Sequence, residues 1–225
     1  MKSFIAKKGG NFILRKNYII GIDEAGRGPL AGAVYVGAVM LPKNHKQLFK
    51  KTNAPQKLAD SKKLSSAKRE EWFLWIQKNV SYAYANVSAK KIDKINIVRA
   101  CDVGAQRAFN KLITKNKILK TKKNSLKVKV IADGGLTIFV PKNVVFQQYP
   151  KADELVPAVS LASIVAKVTR DRYMQKMHKK FPQYGFDAHK GYGTQKHYKA
   201  LRRYGPSALH RLTFLSSLRT MHRKK

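Results

Sequence analysis

Two adjacent carboxylates, Asp23 and Glu24, end an apolar run, Tyr18-Ile19-Ile20-Gly21-Ile22, and lead into Ala25-Gly26-Arg27-Gly28-Pro29-Leu30-Ala31-Gly32. Charge at the end of a buried strand is costly unless it binds something positive. The chain has only 12 acidic residues against 47 Lys plus Arg, so an acidic pair on such a strand needs a reason. Two more acids occupy similar junctions. Asp133 follows the run 127–132 and precedes Gly134-Gly135, and Asp153 lies just after the run 144–149. Acids distant in sequence converge when neighbouring strands end at one sheet edge. Clustered oxygens suit hard cations such as Mg²⁺ or Mn²⁺, and a pair of such ions suits phosphodiester hydrolysis. Taken singly, each acid also has a plainer reading as a helix cap or surface ion pair, and Asp133 as a turn residue.

The rest of the composition narrows the chemistry. A formal charge of +35 and a pI near 10.4 point to a polyanionic partner, nucleic acid first. A solvated lysine-rich surface accounts for the same numbers less specifically. The glycines flanking Arg27 let backbone approach a ligand closely. Cys101 is the only cysteine, which excludes an internal disulfide and a cysteine-cluster zinc site; it reads as a core filler. His178, His189, His197, His210 and His222 fit no zinc spacing and read as surface, core or phosphate-contacting residues. There is no Gly-x-Ser-x-Gly elbow, and Gly26-x-Gly28 lacks the third glycine of a dinucleotide fingerprint. No signal peptide or membrane span is evident, so a soluble, cytoplasmic protein is expected.

The elements that must position these residues follow from the apolar pattern. Strands are predicted over 18–23, 33–41, 80–87, 127–132 and 144–149, the first two pairing as a hairpin. Residues 42–57 read as an irregular polar break. Ser65 or Ser66 caps a helix carrying Trp72, Phe73, Trp75 and Ile76. Residues 88–119 are largely helical, 157–181 form a long helix, and 194–204 and 208–220 form shorter ones. The lysine-rich stretch 115–127 reads as an exposed loop or helix end. Strands first, then alternating strands and helices, give an α/β fold with a mixed sheet and a helical C-terminal extension. The expected organisation is a basic arm over 1–17, a catalytic domain over 18–215 and a basic tail over 216–225.

Several of these segments together resemble the type 2 ribonuclease H family, the bacterial ribonucleases HII. The resemblance is carried by Gly21-Ile22-Asp23-Glu24-Ala25-Gly26-Arg27-Gly28-Pro29-Leu30-Ala31-Gly32 and Asp60-Ser61-Lys62-Lys63-Leu64-Ser65. It continues in Ala162-Ser163-Ile164-Val165-Ala166-Lys167-Val168-Thr169-Arg170-Asp171, His189-Lys190-Gly191-Tyr192-Gly193-Thr194 and Tyr204-Gly205-Pro206-Ser207-Ala208-Leu209-His210-Arg211. It implies a ribonuclease H-like sheet flanked by helices. It implies Asp23, Glu24, Asp133 and Asp153 as acids holding two Mg²⁺ or Mn²⁺ ions. Gly26-Arg27-Gly28 would read the ribose 2′-hydroxyl through backbone groups, the hydroxyl that separates RNA from DNA. Tyr192 would pack on the sugar after the ribonucleotide, and Lys62 or Lys63 would contact backbone phosphate.

Two segments depart from the family pattern. Ala152-Asp153-Glu154 stands where Gly-Asp-Ser is common, and Gly193 where proline is also common. Asp153 and the short N-terminus argue against the ribonuclease HIII type, and residues 214–225 carry no evident clamp-binding motif. The expectation is a monomeric endoribonuclease acting on the RNA of RNA–DNA hybrids and on ribonucleotides embedded in DNA. It would cut on the 5′ side and leave 3′-hydroxyl and 5′-phosphate ends. The competing readings are a DNA nuclease or transposase of the same superfamily and a non-catalytic hybrid-binding protein.

Overall fold

The computed structural model describes residues 17–55, 58, 64–116 and 128–216. Five strands form one sheet in the order β3-β2-β1-β4-β5: β1 Tyr18–Ala25, β2 Val34–Pro42, β3 Ser81–Val87, β4 Val128–Asp133 and β5 Val145–Tyr149. β1 and β2 pair antiparallel, as do β2 and β3, whereas β4 runs parallel to β1, and β5 to β4. The mixed sheet agrees with expectation. The direction of β4 matters most, because parallel neighbours finish at the same edge.

Helices cover both faces. α3 (Ala89–Ile95) and α4 (Ile97–Lys115) pack on one, where Ile20, Ile22, Val36, Ala38 and Val130 meet Ala105 and Phe109. α2 (Ser66–Asn79) and the long α6 (Pro157–Lys180) cover the other, where Val39 and Leu41 meet Trp72, Ile76, Leu161 and Val165. α6 lies very near the sheet because β1 and β2 present glycine to it. A Cβ on Gly21 would overlap the backbone of Ala158 and Val159, and one on Gly37 would overlap the carbonyl of Ala162. Ser65 caps α2 through its hydroxyl, accepting from the Lys68 N–H. Cys101 is fully buried in α4, and burial pushes its thiol up to about 12, as suits a core filler.

The polar segment read as irregular contains α1, His45–Lys51. Leu48 and Phe49 pack against the α2–α6 core, which stabilises a helix too short and too lysine-rich to announce itself. The described part of the segment 88–119 holds two helices, broken at Asn96, whose φ of 62° is incompatible with a continuous helix and whose side chain caps α4. α5 (Ala152–Leu155), of four residues, falls between the fifth strand and the long helix, where no element was expected. α7 (Phe186–His189) and α8 (Gln195–Tyr204) follow α6. The helix expected over 208–220 does not form over 208–215. A turn leads to a 3-10 segment, Leu212–Leu215, whose first N–H groups bond the Asp93 carboxylate instead of extending a helix. Most of the lysine-rich stretch, residues 117–127, and nearly all of the tail lie outside the described residues, as do Lys62 and Lys63.

Candidate active site

Alternation along β1 sends successive side chains to opposite faces of the sheet. Ile19 and Gly21 face α6, and Asp23 follows them; Ile20 and Ile22 face α4, and Glu24 follows them. Asp133 ends β4 on the same face as Ile131, the face of Asp23. The parallel register pairs Ile22 with Ala132, so one step further the chain brings Asp23 alongside Asp133. Neighbouring strands lie about 5 Å apart, so two carboxylates are forced together by topology. Asp153 arrives by another route. After β5 the chain turns through Lys151, with φ of 58°, into α5, and the Ala152 N–H donates to Asp133 Oδ1 at 2.8 Å. Asp153 is buried one residue further on, and its backbone carbonyl accepts from the Ser160 hydroxyl.

Electrostatics show what this packing costs. Burial holds Asp23 well above the ordinary carboxylate range, and Glu24 and Asp133 push it further, against hydrogen bonds from Ser163 and the Glu24 amide. Burial also raises Glu24, with Asp133 adding, while Arg27 opposes the shift. Arg27 Nη1 donates to Glu24 Oε1 at 3.1 Å, and Glu24 Oε2 is buried without a hydrogen-bond partner among the described residues. An all-oxygen donor set, one orphaned carboxylate oxygen and mutual repulsion together fit a hard cation. As arranged here, no three such side chains among the described residues are grouped closely enough to hold an ion. Each of the three spends an oxygen elsewhere: Glu24 on Arg27, Asp23 on the Glu24 amide, Asp133 on the Ala152 amide.

The acid edge opens into a cleft of about 440 Å³ lined by Glu24, Gly26, Arg27, Gly28, Lys167 and Tyr192, among others. The glycine loop and Tyr192 therefore share one concavity with Glu24; Asp23, Asp133 and Asp153 are not in its lining. Tyr192 is 49% exposed, its ring available to a ligand. The two glycines are not equivalent. Gly26 has φ of 93°, and a Cβ there would overlap the Arg170 guanidinium, so this glycine serves the fold. Gly28 is open: a Cβ would come no nearer than 3.9 Å to the Tyr192 ring.

The residues that hold this loop in place went unassigned in the sequence. Arg170 and Arg211 are 2% and 0% exposed. Arg170 donates to the carbonyls of Ala31, Ala33 and Lys190, and its guanidinium carbon lies 5.8 Å from the Tyr192 ring centroid. Three histidines form a stack behind Tyr192. His197 Nδ1 bonds the Tyr192 carbonyl at 2.9 Å, its Nε2 meets His210 Nε2 at 3.0 Å, and His189 stacks on it at 4.5 Å between ring centres. The Ser207 N–H donates to His210 Nδ1. One proton arrangement satisfies the whole chain: His197 donates from Nδ1 and His210 from Nε2, both rings neutral. Burial accordingly holds His210 down to about 4, with His197 adding to the effect. The available signal was the presence of Arg170, His189, His210 and Arg211 in the motifs; His197 lies outside them, and nothing in the spacing shows that these residues touch.

Comparison with known proteins gives the family and the fold. The family model described as Ribonuclease HII matches residues 20–217. The chain is 43% identical over 197 residues to a ribonuclease HII of Coxiella burnetii, covering 87% of both chains. It superimposes on the ribonuclease H2 of Pyrococcus horikoshii with a TM-score of 0.69, at 24% identity, covering 92% of this chain and 100% of that one. It superimposes on Bst-RNase HIII in complex with Mn²⁺ with a TM-score of 0.70, at 19% identity, covering 93% and 71%; at these identities both likenesses speak for the fold. With sequence match and edge geometry pointing the same way, the chain belongs to the ribonuclease HII family of metal-dependent endoribonucleases.

Proposed function

We propose that this protein hydrolyses the RNA strand of RNA–DNA hybrids and incises duplex DNA on the 5′ side of embedded ribonucleotides, leaving 3′-hydroxyl and 5′-phosphate ends. The observation that carries the reading is the shared cleft: Glu24 at the acid edge, an open Gly28 and an exposed Tyr192 line one concavity. Asp23, Glu24, Asp133 and Asp153 would hold two Mg²⁺ or Mn²⁺ ions, which supply Lewis acidity at the entering and leaving oxygens of an in-line displacement. Glu24 has a free oxygen to offer and a second that Arg27 can release. The backbone of Gly26-Arg27-Gly28 would meet the ribose 2′-hydroxyl. Tyr192 would stack on the following deoxyribose, and the cationic surface, Lys62 and Lys63 included, would position the phosphates. Residues 18–215 would act as one catalytic unit between a basic arm and a basic tail.

The test pairs a gel shift with a cleavage assay. A duplex with one ribonucleotide and its all-DNA counterpart are each incubated with Mg²⁺, with Mn²⁺ and with a chelator. Cleavage only of the ribonucleotide duplex, and only with a divalent ion, is expected. Equal cleavage of both duplexes would favour the DNA nuclease, and a shift without cleavage the hybrid-binding protein.

A further inference from the structure

Arg211 is a buried cation, and none of the ion pairs among the described residues includes it. Its donors go to backbone carbonyls of one loop: Nη2 to Gly26 at 2.6 Å, Nη1 to Arg27 at 2.7 Å and Nε to Gly32 at 3.0 Å. In a trans peptide the carbonyl and the next N–H point in opposite directions, and the described chain contains no cis peptide. With the carbonyls of Gly26 and Arg27 turned inward to Arg211, the N–H groups of Arg27 and Gly28 turn away from it. Gly26, Arg27, Gly28 and Tyr192 line the cleft and Arg211 does not, so the loop stands between the two. A guanidinium is a rigid planar fork, so one side chain sets two consecutive peptides at once. Burial lowers the Arg211 pKa to about 10, with Arg170 adding to the effect, so the group stays charged at neutral pH.

We propose that Arg211 is a positioning residue for ribose selection: from beneath the loop it aims the Arg27 and Gly28 N–H groups into the cleft as a paired donor for the 2′-hydroxyl oxygen. The inference rests on the reading above that this loop meets the ribose. It adds the residue that makes the loop competent. Lysine at 211 keeps the charge and loses the fork, so it cannot fix both peptides together.

The test compares wild type, Arg211→Lys and Arg211→Gln for binding, without divalent cation, to a duplex carrying one ribonucleotide and to the same duplex in DNA. For Arg211→Lys the preference for the ribonucleotide should fall at least tenfold, with DNA affinity changed less than twofold. KM for the ribonucleotide duplex should rise more than kcat falls. A merely structural role would weaken both duplexes alike, and that result, or an unchanged preference, overturns the proposal. Should the variants not fold, the wild-type protein still decides: its Arg27 and Gly28 amide NMR signals should shift with the ribonucleotide duplex and not with the DNA duplex. Amides indifferent to the ribose overturn the proposal. A wild type with no ribonucleotide preference would instead sink the functional reading on which it stands.

Discussion

The acid edge and the loop scaffold beside it solve opposite problems with buried charge. At the edge, Asp23, Glu24 and Asp133 repel one another, and one Glu24 oxygen lacks a partner among the described residues. Beneath the loop, Arg170 and Arg211 are as deeply buried, yet each has three backbone carbonyls to satisfy it. The first region is held in an unfavourable state that a bound cation would relieve; the second is complete in itself. Mutation should therefore separate them: removing an acid should harm catalysis and spare the fold, whereas removing a buried base should harm the fold.

The largest expected effect is at the edge. Asp23→Asn should lower cleavage by orders of magnitude, measured as single-turnover rate with saturating Mg²⁺ or Mn²⁺, while the melting temperature of the metal-free protein stays level or rises. Near-normal turnover would remove Asp23 from the site, and a large fall in melting temperature would erase the contrast between the two regions.

Next in size is the response to salt, which weighs the cationic surface against the site. If about six phosphates are neutralised, affinity for duplex should fall about a thousandfold between 50 and 200 mM salt. Fluorescence anisotropy across that range gives the slope. A flat response would mean that most of the 47 Lys and Arg are solvated surface and that the cleft alone binds.

The scaffold can be loosened by acid. His210 is neutral in the fold, with its pKa lowered from 6.5 to about 4, so protonation favours the unfolded chain. Its contribution is complete above pH 6.5 and is lost as pH falls toward 4, amounting to at most about 3 kcal/mol. Denaturant unfolding of wild type and His210→Gln from pH 7.5 to 4 checks this. The stability gap should narrow on acidification, and a constant gap would show that the histidine stack does not sense protons.

The smallest effect is the most selective. Tyr192→Ala should reduce cleavage at a single ribonucleotide about tenfold, equivalent to about 1.4 kcal/mol of lost packing on the sugar, and leave metal affinity unchanged by calorimetric titration. Gly28→Ala should match it in specificity without changing the melting temperature, since a Cβ there meets only the edge of the Tyr192 ring. If Gly28→Ala cleaves the ribonucleotide duplex normally, the open glycine is not where the ribose approaches.

What the sequence made legible follows from the range of the forces involved. β1, β2, α2 and α6 announced themselves by local alternation, capping and apolar periodicity, and each stands within a few residues of its expected place. α1 stayed hidden because its stability comes from Leu48 and Phe49 reaching a core assembled elsewhere. The acids of the edge were readable because charge at a strand end is conspicuous wherever it occurs. Arg170, Arg211 and His197 were not, because their partners are carbonyls and rings brought close only by the fold, and a carbonyl leaves no mark in a sequence.

The seating of α6 on Gly21 and Gly37 carries a last consequence. Ser163, which bonds Asp23, and Arg170, which holds the loop, are seven residues apart on that one helix. At 1.5 Å per residue the helix acts as a ruler of about 10 Å between the place of bond cleavage and the place of sugar recognition. The glycine gaps fix where the ruler is laid. A slip of one residue would slide it about 1.5 Å and rotate it by about 100°, parting both marks from their objects at once. A substitution at Gly21 or Gly37, far from any nucleotide, would then show itself as an incision displaced from the ribonucleotide.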